Sequence, residues 1–206
     1  MLVGLSRYLG FPRGAGHVTV DAGLNYLESH DDHTAADLVR HALHQPASGH
    51  PVERASLFPM HEALLRRMKL AASALVRARG PLMLAQGQEW GRAKVRPEDN
   101  RLDGNSYCRD DATNHLDWHE RERNRPLVDH YRRLLQIRRE WLTDVLTGPA
   151  PLMVLHTDRM WAFGYTAATR RGPVVDAVWD GRRGDCADAN GGERQGLRLR
   201  CGRFMG

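Results

Sequence analysis

Lysine is almost missing from this chain: Lys69 and Lys94 are the only two, and the rest of its 30 basic residues are arginine. With 25 acidic residues the formal charge is +5, but the arginines are dispersed among carboxylates, and no compact basic run with interleaved aromatics appears. This pattern fits a compositional bias of the source genome better than a nucleic-acid footprint, so no nucleic-acid partner is expected. Cysteine is scarce as well. Cys108, Cys186 and Cys201 are odd in number and lack CxxC spacing, which excludes a disulfide framework. No run approaches the ~18 apolar residues of a membrane span, so no membrane partner is expected either. The opening stretch MLVGLSRYLGFPRGAG lacks the charged start and sustained apolar core of a signal peptide, and no compartment is assigned.

What is present begins with length. The chain's 206 residues suffice for one domain with a real core, or for a domain and a small appendage. They fall short of the roughly 250 residues of a complete eight-unit β/α barrel. Residues 1–20 show two glycine-bounded apolar patches and no period. GLNYLES (23–29) reads as a short, largely buried strand. A helical turn or two is expected around Ala36 to His44 within an otherwise proline-rich loop. In 61–79 the residues Leu64, Met68, Ala71 and Leu75 step by helical spacing, and Gly80 with Pro81 stops the helix. PLMLA (81–85) is continuously apolar, as a parallel strand covered on both faces would be. Strand, helix and strand in that order make a βαβ unit.

A long polar segment follows from Gly87 to Asn124, and loops of that length are commonly functional. Asn124 as N-cap and Pro126 just inside it predict a second helix to Leu142, with Leu127, Tyr131 and Leu134 on one face. After Gly148, Pro149 and Pro151, three alternating stretches, PLMVLHTD, MWAFGYTA and PVVDAVWD, predict antiparallel strands. The last 26 residues hold 7 Gly and 6 Arg with almost no apolar pattern, so 181–206 is expected to be an irregular tail.

The most concentrated chemistry lies in NYLESHDDHT, where a strand-like run ends in His30, Asp31, Asp32 and His33. A carboxylate at the carboxyl end of a barrel strand is rigidly held and faces the open mouth, which makes this a candidate site. The stretches LNYLESHDDHT, GPLMLAQGQEWGRAK, GNSYCRDDATNHLDW and VDHYRRLLQIRRE, in that order and spacing, together resemble pullulanases and related debranching enzymes of the α-amylase superfamily. The resemblance spans residues 24 to 140.

It implies an α/β fold: the last two β/α units of a TIM barrel over 1–148, then the start of an antiparallel β domain over 149–180. It implies a retaining glycoside hydrolase acting on α-glucosidic bonds, α-1,6 foremost, in pullulan, glycogen or starch-type glucans, with an α-glucan as partner and no cofactor or metal. His30 and Asp31 match the family's strand-seven His-Asp pair. There the Asp is not the nucleophile; it hydrogen-bonds sugar hydroxyls where the bond breaks. Such bonds strengthen as the ring gains oxocarbenium charge. Asp32, Glu89, Trp90 and Tyr107 are the implied substrate-binding residues; for Trp90 and Tyr107 a sugar-stacking surface stands beside the plainer alternative of loop residues packed against the barrel rim.

Two departures stand out. The family commonly has Asn where this chain has Asp32. More seriously, a retaining enzyme needs a nucleophile and a general acid/base about 5 Å apart, and the family carries them on strands four and five. At about 30 residues per unit the nucleophile belongs on the order of 100 residues before Asp31, and only 30 residues precede it. The expectation is therefore the C-terminal part of an enzyme, marginally stable and inactive alone. Two rivals stand beside it: a non-catalytic carbohydrate-binding chain, and a metal-dependent phosphohydrolase of the His-Asp type, whose doublets lie on helices. His41, His44, His61, His115, His119 and His130 share no ligand spacing and read as surface or capping residues.

Overall fold

The structure, a computed structural model, describes residues 24–45, 49–147, 152–157, 160–169 and 172–180. The expectations for residues 1–20 and 181–206 lie outside the described residues. Helix α1 (Ala35–Ala42) starts where Thr34, in extended backbone, accepts the Asp37 amide through its hydroxyl. Helix α2 (Glu62–Val76) is capped by His61, whose Nδ1 accepts from the Leu64 amide at 3.3 Å. Of the two roles expected for His61, surface or cap, it takes the second. The buried face of α2 is Leu64, Met68, Ala72, Leu75 and Val76. Ala72 rather than Ala71 lies inward, because a straight helix advances 3.6 residues per turn and drifts off a strict 4-3-4 count.

Helix α3 (Trp118–Arg123) and helix α4 (Arg125–Ile137) meet at Asn124, and α5 (Thr143–Thr147) follows a π-helical turn at Arg138–Leu142. The helix expected from 124 to 142 is therefore interrupted. Arg138 marks the place: its guanidinium donates to the carbonyls of Val76, Ala78 and Gly80 at 2.6, 2.7 and 2.8 Å. These carbonyls lie at and beyond the end of α2, where helical partners run out. Leu135 is exposed, while Val128 and Leu142, seven residues to either side of it, are buried.

The main core forms where α1, α2 and α4 meet, with Ala36, Val39, Leu64, Met68, Leu127 and Tyr131 at its centre. A second cluster of Leu57, Phe58, Trp90, Ala93, Val95 and Val128 lies against α4. Arg40, over the Phe58 ring, forms a fully buried ion pair with Asp37 at 2.7 Å.

The two expected barrel strands adjoin in parallel through a single bridge, Asn25 to Leu82. The Asn25 amide donates to Pro81 O at 3.0 Å and the Met83 amide to Asn25 O at 2.9 Å. Beyond that bridge the backbone of 24–30 is irregular, and Leu24, Tyr26 and Leu84 stand exposed. Neither segment has a second strand beside it among the described residues, so no ladder extends. Farther on, β1 (Leu152–Thr157), β2 (Met160–Thr169) and β3 (Gly172–Asp180) form an antiparallel meander, with Leu152 opposite Tyr165 and Trp161 opposite Asp180. The three strands occur in the order their alternation predicts.

Candidate functional site

The His30–His33 cluster is a turn, not a helix. His30 Nε2 lies 3.3 Å from Asp31 Oδ1, with the two side chains 81% and 66% exposed. The Asp31 amide donates to Ser29 Oγ at 3.3 Å. Asp32 takes a left-handed φ of 59°, where a non-glycine residue is strained. Its side chain is exposed, like that of Asp31. His33 turns inward and meets His41 edge-on, ring centroids 4.9 Å apart. Burial, with His33 beside it, holds His41 below the ordinary imidazole range.

Beneath the turn, Lys94 donates through Nζ to His30 O at 2.9 Å and to Asp32 O at 2.8 Å. The segment after Ala85 therefore grips the backbone on both sides of Asp31. Asp37 Oδ2 accepts from the Lys94 amide, and the Thr34 hydroxyl donates to Arg92 O, so α1 and the 87–95 segment are stitched together. Glu28 is buried there too. Its Oε2 accepts from the Ala35 amide at 2.6 Å, and burial drives its pKa up to about 7.

The remaining predicted residues separate. Glu89 turns back onto its own loop and accepts from the Gly87 amide at 3.1 Å. Trp90 is fully buried, its ring 5.3 Å from that of Trp118, and presents no face to a sugar. Of these two indoles the exposed one is Trp118, and Tyr107 is 69% exposed. Asn114 holds the Asn105–Tyr107 loop shut: Oδ1 accepts from Ser106 Oγ, and Nδ2 donates to Ser106 O and Arg109 O. A cleft of about 390 Å³ opens beside the turn, lined by His33, His41, His50, Arg101 and Asp103 among others, but not by Asp31. Among the described residues no three His, Cys, Asp or Glu side chains converge to hold a metal.

Sequence reasoning missed Lys94, Glu28 and Asp37, and read Asn124 only as an N-cap. For Lys94 a signal existed: it is one of two lysines in a chain that otherwise uses arginine. The others carry no signal in sequence, because their roles follow from long-range burial.

No family profile matches the chain. Over 116 residues it is 34% identical to a pullulanase of Bacillus subtilis, a match covering 56% of this chain and 14% of that enzyme. Over that stretch the chain is similar to a pullulanase. Among solved structures it resembles the product complex of SpuA, a multi-modular glycogen-degrading pneumococcal virulence factor. There the TM-score is 0.59 and the identity 16%, over 84% of this chain and 21% of that one. It also resembles the GBS pullulanase SAP in complex with maltotetraose, with TM-score 0.57 and 18% identity, over 80% of this chain and 26% of that one. At such identities these structures speak for the fold alone: that of pullulanase catalytic modules. The chain spans about a seventh of the length of the B. subtilis relative.

Proposed function

We propose that this chain supplies the last two β/α units of a pullulanase-type barrel (1–148) and the start of its C-terminal β domain (149–180), with 181–206 as tail. In this reading the His30–Asp31 turn binds the glucose unit at the cleaved bond of an α-glucan, α-1,6 foremost. The observation that carries it is the placement of that turn. It follows a segment bridged in parallel to 81–85, as the exit of a barrel strand would be, and its backbone is clamped by Lys94 while its polar side chains face outward.

The chemistry follows from charge. As a glycosidic bond opens, positive charge grows on the sugar ring, and a fixed carboxylate hydrogen-bonded to the ring hydroxyls binds that state more tightly than the ground state. Exposure sets the magnitude. A charge pair 4 Å apart gains about 1 kcal/mol in water and about 4 kcal/mol where water is partly excluded. With Asp31 66% exposed, the lower figure applies to the bare chain. Asp31 alone provides neither a nucleophile nor a proton donor for the leaving oxygen, so this chain binds glucan without turning it over. A phosphohydrolase reading finds less support: His30 and Asp31 sit in a turn rather than on a helix.

Calorimetric titration with maltotetraose, paired with reducing-sugar release from pullulan, tests the proposal. Binding that Asp31→Ala removes, with no release, is the expected result. Steady hydrolysis by the 206-residue chain, or undiminished binding by Asp31→Ala, would refute it.

A further inference from the structure

The side chains of His30 and Asp31 are mostly exposed, at 81% and 66%, so their own packing does little to hold them. Their geometry must be set by the backbone of a turn that contains a strained residue, Asp32 at φ 59°. That backbone has one strong anchor. We propose that Lys94 is the positioning residue of the His30–Asp31 corner, its ammonium drawing together the carbonyls on either side of Asp31 and so fixing where the carboxylate is presented.

Four observations carry this. Lys94 is 1% exposed, and a buried ammonium must find acceptors. It finds two backbone carbonyls, His30 O at 2.9 Å and Asp32 O at 2.8 Å, which bracket the residue whose position counts. Charge-assisted bonds of this kind are about twice as strong as neutral ones. Lys94 is itself pinned at both backbone ends: its amide donates to Asp37 Oδ2 at 2.9 Å, and its carbonyl accepts from the Asp103 amide at 2.8 Å. Asp37 in turn is locked by the buried Arg40. The clamp thus hangs from the helix core rather than from a free loop. The residue type also fits: a compact, tetrahedral ammonium can serve two carbonyls converging from one turn, which a planar guanidinium matches less well.

The inference rests on the reading of the corner as a sugar site, and its test separates the two. Backbone ¹⁵N order parameters of residues 30–33 and maltotetraose affinity are measured on the whole chain and on Lys94→Met and Lys94→Arg. In the wild type the turn should be rigid, with order parameters about 0.85. In Lys94→Met they should fall below about 0.6 while α2 and α4 keep their wild-type values, and affinity should drop roughly tenfold or more. Lys94→Arg, which keeps the charge and the donors, should recover part of both. A wild-type turn that is already flexible overturns the proposal without any variant, which covers the case in which Lys94→Met does not fold. So does a folded Lys94→Met with a rigid turn or unchanged affinity. If the wild type binds no maltotetraose, the sugar-site reading fails, and the order parameters still decide the clamp.

Discussion

Glu28→Gln isolates one strongly perturbed buried carboxyl. Glu28 is 3% exposed; Oε2 accepts from the Ala35 amide, and Oε1 is buried without a partner among the described residues. Burial is the largest influence and raises the pKa from 4.5 to about 7; the Ala35 amide, Arg92 and Lys94 pull the other way and Asp37 adds to the rise. The sign follows from linkage. Because the folded carboxyl holds its proton to higher pH than the unfolded one, stability falls as pH rises from about 4.5 and levels off above about 7. A displacement of that size corresponds to about 3 kcal/mol, of which about 2.5 kcal/mol develops between about pH 5 and pH 8. Glutamine keeps an acceptor for the Ala35 amide and has no charge to desolvate. It also brings an NH₂ that needs a partner, but that penalty is the same at every pH. His41 and His130, both held below the usual imidazole range chiefly by burial, change wild-type stability in the opposite direction over the acid part of this window. The difference between variant and wild type cancels them. Urea unfolding followed by circular dichroism at about pH 5 and pH 8 should therefore show the variant gaining about 2.5 kcal/mol relative to wild type on going to the higher pH. A difference that does not change with pH would refute the reasoning.

Two other substitutions test the scaffold. Asn124→Ala strands the Met60 amide and the Trp90 carbonyl, which the side chain now bonds at 2.9 and 2.7 Å; the expected loss is about 3 kcal/mol in the same denaturant assay, and a loss below ~1 kcal/mol would show that water replaces both bonds. Arg40→Met leaves Asp37 charged and buried, for an expected loss of about 3–5 kcal/mol. Adding Asp37→Asn should restore part of it, and a double variant no better than the single would contradict the pairing.

The helices and the late strands were legible because their signals are local. Leu64, Met68 and Leu75 mark the buried side of α2, His61 could be read as a cap, and alternation marked the order of β1 to β3. The barrel strands were less so. Parallel segments stabilise only against neighbours, and 24–29 and 81–85 each have one neighbour and one bridge among the described residues. Asn124 shows a different limit. Its type and place predict an N-cap, yet its side chain makes no capping bond and instead joins Met60 to Trp90, residues 64 and 34 positions away. At the site, the acidic turn was visible in sequence, but what holds it was not: Lys94 reaches it across more than 60 residues. Trp90 and Trp118 could not be told apart by type, and packing alone made one a core residue and left the other exposed.

The most direct test of the account is a two-dimensional ¹H–¹⁵N NMR titration of the whole chain with maltotetraose. The expected shifts are concentrated at Ser29–His33 and around Lys94 and are lost in Asp31→Ala. Saturable binding that leaves those amides unmoved would contradict it.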